Sequence, residues 1–261
     1  MDGIYFLVAF LASVLGKICG MGGGVMIKPV LDACHTASVA AINFYSGCTV
    51  LGMSCWSVGK AAWRRDNLLD FRVSVPLAAG AALGGLLGKE IYCQLARLYT
   101  DAEVIGGVQA LFLFLATLGT LLYTITKDRF PAKRVRHWSL CVAVGLGLGI
   151  LGSFLGIGGG PFNMAVLYYF FSMSTKTAAQ NSLFVILISQ GAGTLKTILA
   201  GDVPDILIPI LVGMILCGVA GSEVGGRLNR RLSEENVTRL FQWSMVLVLG
   251  INLYNMFRFF G

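Results

Sequence analysis

GMGGGVMIKPVL, from Gly20 to Leu31, and GIGGGPFNMAVL, from Gly156 to Leu167, are two versions of one string. Each ends an apolar stretch in a glycine triplet, Gly22, Gly23 and Gly24 in the first and Gly158, Gly159 and Gly160 in the second, and each resumes as an apolar run. Three consecutive glycines break a helix, and they leave no side chain in the way of a ligand. The pieces that follow, Val25 to Cys34 and Phe162 to Ser172, span only about 15 to 18 Å if helical, against an apolar bilayer core of about 30 Å. They read as half-helices.

The likeness spreads outward from the triplets. A shift of 136 residues lays Gly16, Gly20 and Leu31 on Gly152, Gly156 and Leu167, and a shift of 138 lays Ala40, Ala41 and Asn43 on Ala178, Ala179 and Asn181. Further on, a shift of 133 lays Pro76, Gly80, Gly85, Gly88, Glu90 and Gln109 on Pro209, Gly213, Gly218, Gly221, Glu223 and Gln242. Ordered agreement in Pro, Asn, Glu and Gln as well as Gly marks an internal duplication, with residues 1–126 and 138–261 as the repeats and 127–137 as a basic linker.

Of 261 residues 56% are hydrophobic and only 13% charged, and runs such as Val104 to Ile125 are of bilayer length. The chain is therefore an integral membrane protein with no segment left over for a soluble domain. Its net charge of +7 does not point to nucleic acid, because thirteen of the twenty Lys and Arg fall in three loops: Lys60 to Arg72, Lys127 to Arg136 and Arg227 to Arg239. That is the signature of cytoplasmic loops. Each basic loop has a counterpart poor in bases in the other repeat, so the repeats are expected to be inverted. Inversion requires an odd number of crossings per repeat. The expected fold is thus an all-α polytopic membrane protein of two inverted repeats, each a broken or re-entrant hairpin plus three long spans, about 8 to 10 membrane segments in all. The long spans are expected near 37–59, 72–92, 103–126, 174–199, 205–226 and 237–259. Residues Ile4 to Leu15 lack a basic start and read as a retained helix.

A glycine break that opens a helix exposes amides without intrahelical acceptors at the positive end of the helix dipole, which suits an oxyanion. Asn43, Ser46, Gly47 and Ser54 share one face of the next long helix, and Ser182, Ser189, Gly193 and Lys196 form a stripe in the second copy, beside Asn181. Such groups hold an anion without a buried countercharge. Lys28 stands beside the first triplet where the second copy has Met164; a lysine at that depth is expensive, which makes it a candidate electrostatic partner for the anion. The candidate site is therefore Gly22, Gly23, Gly24, Lys28, Asn43, Ser46, Gly158, Gly159, Gly160, Asn181 and Ser182. Gly80, Gly84, Gly85 and Gly88 read instead as helix-packing positions, and Glu90 and Glu223 as helix-end residues. The seven cysteines show no CxxC spacing and His35 and His137 are the only histidines, so no metal or cofactor is expected. A GxSxG elbow and a Walker A loop are both absent, and nothing argues for an enzyme.

In its two GxGGG strings the chain resembles the TauE/SafE family of sulfite and sulfonate exporters, and the likeness runs through the whole two-repeat plan. The resemblance implies a multi-pass permease of the plasma or inner membrane that moves small sulfur-containing anions such as sulfite, sulfonates or thiosulfate. Pro161 directly after the second triplet departs from the first string, but proline is well tolerated as the first residue of a helix. The expected function is alternating-access export, with the bilayer and a small sulfur anion as partners and a homodimer as an assembly common among carriers. A channel, or a scaffold whose glycines serve packing alone, remain the other readings of the sequence.

Overall fold

The computed structural model describes residues 3–34, 37–63, 68–98, 102–126 and 133–260. His35 and the loop residues Arg64, Arg65, Lys127 and Arg129 lie outside them. The described residues form ten α-helices: α1 (Gly3–Cys19), α2 (Gly24–Cys34), α3 (Val39–Trp63), α4 (Phe71–Leu98), α5 (Ala102–Thr126), α6 (Trp138–Phe154), α7 (Pro161–Phe171), α8 (Thr175–Leu199), α9 (Ile208–Arg231) and α10 (Glu234–Phe260). α2 and α7 are the two half-helices, 11 residues each. The sequence punctuates them plainly: Pro161 opens α7, and Ser172 closes it in a left-handed conformation with φ 53°.

Five helices, α4, α5, α8, α9 and α10, are long and apolar enough to cross a membrane. α3 runs 25 residues as well, but it carries the polar face noted above and buries Ser46, Thr49 and Ser54 completely. The outward faces carry Leu7, Leu115, Leu122, Trp243 and Phe257, all exposed. Apolar residues on the outer surface and serines inside describe a polytopic membrane protein.

The two five-helix sets exchange contacts reciprocally. α4 lies along α6 and α1 along α9; α3 packs on α9 and α4 on α8; α10 covers α2 and α5 covers α7. Backbone meets backbone in these pairs because the contact stripes are glycine. A methyl at Gly80, Gly84 or Gly88 of α4 would collide with the carbonyl of Val142, Leu146 or Ile150 of α6, and one at Gly221 or Gly225 of α9 with Phe10 or Val14 of α1. In lipid, where burial adds little between helices, this close approach is what holds them together.

Gly84→Leu should therefore destabilise the protein in detergent by about 3 kcal/mol or more, since a backbone carbonyl cannot step aside. Gly119→Leu on α5, where a Cβ meets nothing within 4 Å, should leave thermal unfolding unchanged.

Candidate functional site

The two glycine bends share their first two turns of backbone and differ at the middle of the triplet, where Gly159 has φ 153° and Gly23 has no positive φ. Gly20 and Gly22 have φ 70° and 69°, and their counterparts Gly156 and Gly158 have φ 68° and 69°. Such positive angles are open to glycine and strained for other residues. Each bend is followed at once by helix: Met26 and Ile27 amides donate to the Gly23 carbonyl at 3.1 and 3.0 Å, and Asn163 donates to the Gly160 carbonyl at 3.1 Å. The amides just ahead of these have no acceptor within their own helix.

The bends also touch. Gly24 lies so close to the Ile157 carbonyl that a Cβ would collide with it, and Ile186 of α8 sits against both Gly22 and Gly159. Breaking α1 and α6 frees carbonyls at matched positions, and side-chain amides take them up. Asn229 of α9 donates to the Ile18 carbonyl at 2.8 Å, and Gln109 of α5 to the Phe154 carbonyl at 2.6 Å. Asn255 of α10 likewise donates to the Pro29 carbonyl at 2.9 Å.

Four polar side chains line the bends in complete or near-complete burial: Ser13, Ser46, Ser182 and Asn163, the last 3% exposed. Asn163 Nδ2 reaches Ser182 Oγ at 3.5 Å. Among the described residues Ser13 Oγ, Ser46 Oγ and Asn163 Oδ1 have no hydrogen-bond partner. Ser13 lies beside Gly23 and Ser46 beside Gly24. Ser13 and Asn163 were missed by the sequence reading. Asn163 had a signal, as the lone amide in an otherwise apolar half-helix where the first copy has Ile27.

Other expected site residues sit differently. Lys28 is 2% exposed, and its ammonium holds Asp32 at 2.6 Å, one turn along the same half-helix. Its charge is thus matched within α2. Asn181 is committed to the loop before α4: its Nδ2 donates to the carbonyls of Leu68 (3.0 Å) and Thr177 (2.7 Å), and its Oδ1 accepts from the Asp70 amide (3.0 Å) and the Ser74 hydroxyl. Asn43, its counterpart, instead lines a cavity beside Tyr92, with Gly156 packed against its amide.

Two cavities open at opposite ends of the α3/α8 pair. One, of about 260 Å³, is walled by Trp56, Ser57 and Lys60 near the end of α3 and Lys176, Ala179 and Gln180 at the start of α8. The other, of about 120 Å³, takes Asn43 and Gly47 near the start of α3 and Gln190, Gly193 and Thr197 towards the end of α8. The helices therefore run antiparallel between two mouths. Each mouth meets a bend, since Ala179 packs on Gly20 and Gly156 lines the second cavity directly. Gln190, also missed from sequence, has its amide wedged between Gly47 and Gly158. Beneath it a void of about 10 Å³ touches Gly158, Gly159 and Asn163, room for no more than about one water.

The matched glutamates each hold a lysine of the other repeat. Glu223 of α9 accepts from Lys60, from Trp56 Nε1 at 3.0 Å and from Arg227 at 2.8 Å; Glu90 of α4 holds Lys196 of α8 at 2.9 Å. Both are ties between the halves, and the Glu223 pair stands at the larger mouth.

A broken, paired half-helix plan of this kind, with a mouth at either end, can be compared with known proteins. Residues 5–253 match the family described as sulfite exporter TauE/SafE. The chain belongs to the TauE/SafE family. Among curated proteins this member is similar to probable membrane transporter protein YunE of Bacillus subtilis (strain 168), 19% identical over 94% of each chain. It is also similar to probable membrane transporter protein YdhB of the same organism, 24% identical over 82% of this chain and 86% of the relative. No solved structure matches it. It is accordingly a multi-pass membrane transporter of the TauE/SafE family.

The divergence of the two asparagines has a measurable consequence. Asn181→Ala should lower stability by about 1–3 kcal/mol, because it strands the buried Ser74 hydroxyl and frees the backbone of the 68–70 loop; thermal unfolding of the purified protein reads this. Asn43→Ala, which breaks none of those bonds, should lower it by less than half as much.

Proposed function

We propose that this transporter is an alternating-access carrier of small sulfur-containing anions such as sulfite, organosulfonates or thiosulfate, held where the two half-helix N-termini meet. The observation that carries this reading is the pair of buried serine hydroxyls at the bends, Ser13 Oγ and Ser46 Oγ, for which the described residues offer no partner. Leaving such an atom unsatisfied costs about 1–3 kcal/mol, and a bend built only for packing would do better with alanine there. Serine hydroxyls, first-turn amides and two converging dipoles offer an oxyanion several donors without a full buried charge.

In this reading the glycine triplets, Ser46 and Ser182 contact the anion, joined by Ser13 and Asn163. Asn43 lies on the approach from the smaller mouth. Lys28 and Asn181 serve the site by fixing α2 and the start of α8. The closed packing of Gly24 on Ile157 supports an occluded site whose bends must separate for the anion to enter. Antiparallel α3 and α8 support inversion of the repeats 1–126 and 138–261 about the linker 127–137. The mouth at Lys60 belongs to the side of the basic loops, which the positive-inside rule assigns to the cytoplasm of a plasma or inner membrane. Export follows from an inside-negative potential, which favours outward movement of an anion by about 2.3 kcal/mol per charge per 100 mV.

Gly23→Ala is the test. Its Cβ would meet nothing nearer than Ser13 Oγ at 3.2 Å, so the fold should survive while the methyl fills the anion's place. Titration of the purified variant with sulfite, thiosulfate and sulfoacetate should show at least about tenfold weaker binding, and Ser46→Ala a loss of similar size from one missing donor. Undiminished binding by folded Gly23→Ala would sink the proposed site.

A further inference from the structure

The two mouths match in position but not in charge. Lys17, Lys60, Lys176 and Arg230 face the larger cavity against one carboxylate, Glu223. The smaller cavity has one of each sign, Lys89 and Asp202. Two matched positions exchange a lysine and cancel: Lys17 falls on Ser153, which lines the smaller cavity, and Ser222 of the larger falls on Lys89 of the smaller. The excess at the larger mouth therefore lies elsewhere, as at Lys176, which falls on Ser38.

Most of the basic mouth's ion pairing is local and leaves charge over. Glu223 is shared by Lys60 and Arg227. Among the described residues neither Lys176 nor Arg230 has an ion-pair partner, although both face the cavity. Lys176 is half-buried at the first turn of α8 and Arg230 exposed at the last turn of α9, so the two stand on opposite walls. A cleft with one sign of charge and low-dielectric walls concentrates ions of the opposite sign and speeds their arrival by about 10- to 1,000-fold at low salt. The floor of this cleft is Ala179, which rests directly on Gly20 of the first bend. Anything gathered here is already beside the bend.

We infer that the basic mouth is a capture site for small oxyanions with a net charge of −1 or −2, and that Lys176 and Arg230 do the capturing. The class includes sulfite, thiosulfate and sulfoacetate, and excludes zwitterionic aminosulfonates such as taurine, whose ammonium meets the same repulsion that its sulfonate escapes. The opposite mouth, with balanced charge, binds the same anions weakly and releases them readily. This inference rests on the carrier reading above, and goes beyond it in assigning a second, outer site and in choosing among substrates.

The experiment is sided flux in proteoliposomes of determined orientation, with labelled thiosulfate as the probe. Raising ionic strength from about 0.01 M to about 0.15 M shortens the screening length from about 30 Å to about 8 Å. For the unaltered protein, KM at the basic face should then rise by about tenfold, while KM at the other face moves less than about twofold. The double variant Lys176→Gln, Arg230→Gln should raise KM at the basic face about fivefold at low salt and lose most of the salt effect, with maximal flux from that face rising in proportion so that kcat/KM stays equal at the two faces. Lys176→Arg with Arg230→Lys should retain the low KM. Sulfoacetate should compete at the basic face at concentrations where taurine does not.

Equal KM and equal salt dependence at the two faces, or a double variant with unchanged KM, would overturn the capture site and leave the carrier standing. Competition by taurine as strong as by sulfoacetate would overturn the charge rule. Absence of any sulfur-anion flux through folded, reconstituted protein would overturn the carrier reading beneath both.

Discussion

A helix can be interrupted at membrane depth only where protein takes up the backbone groups that the break sets free. Here that requirement joins the two halves. The carbonyl of Ile18, just before the first bend, is bonded by Asn229 of the second half; the matched carbonyl of Phe154, before the second bend, is bonded by Gln109 of the first. Each bend is thus sealed from the opposite repeat, and the close contact of Gly24 with Ile157 covers what remains. Neither half could keep its bend in lipid alone. Each half thus supplies what the bend of the other lacks, in keeping with the reciprocal packing of α1 on α9 and α4 on α6.

The same arrangement makes two mouths. Half-helices that end inside the protein leave the space beyond their tips unfilled, once at each end of the antiparallel α3/α8 pair. Those spaces are the cavities of about 260 and 120 Å³. The wall between them is thin in composition: Ile186 against both bends, and Gln190 between Gly47 and Gly158. In the carrier reading, a small relative movement of the bends and α8 would change which mouth reaches the buried polar atoms, whereas the glycine stripes between α4 and α6 resist any sliding within that pair. Rigid frame and movable centre are thus written in the same residue type, used in two ways.

Much of this was legible in the sequence because helix length and glycine runs are local signals. The half-helix expected from Val25 to Cys34 is observed as Gly24–Cys34, and the six long helices lie close to their expected spans. Side-chain partnership is not local, and there the reading thinned. Asn43 and Asn181 are matched in sequence, yet Asn181 bonds the 68–70 loop while Asn43 shares a cavity with Asp202 and Pro204 of the corresponding α8–α9 loop. Lys28 reads as a lone charge until the helix turn brings Asp32 beneath it, an i,i+4 relation that was visible in the sequence and was passed over. Gln190 could not have been found that way, since its place depends on Gly47 and Gly158 arriving from two other elements.

Unequal mouths cannot set the direction of transport. A carrier with no coupled ion speeds movement both ways, and with no gradient and no voltage the ratio kcat/KM must be the same from either face. Cations that lower KM at the Lys60 mouth therefore also slow departure through it. What they change is the concentration at which that face saturates. The membrane potential then supplies the direction, at about 2.3 kcal/mol per charge per 100 mV. A balanced mouth on the far side complements this, because a released anion meets no field that would return it. In the carrier reading, the charge left over at Lys176 and Arg230 makes the two mouths suited to two different solutions.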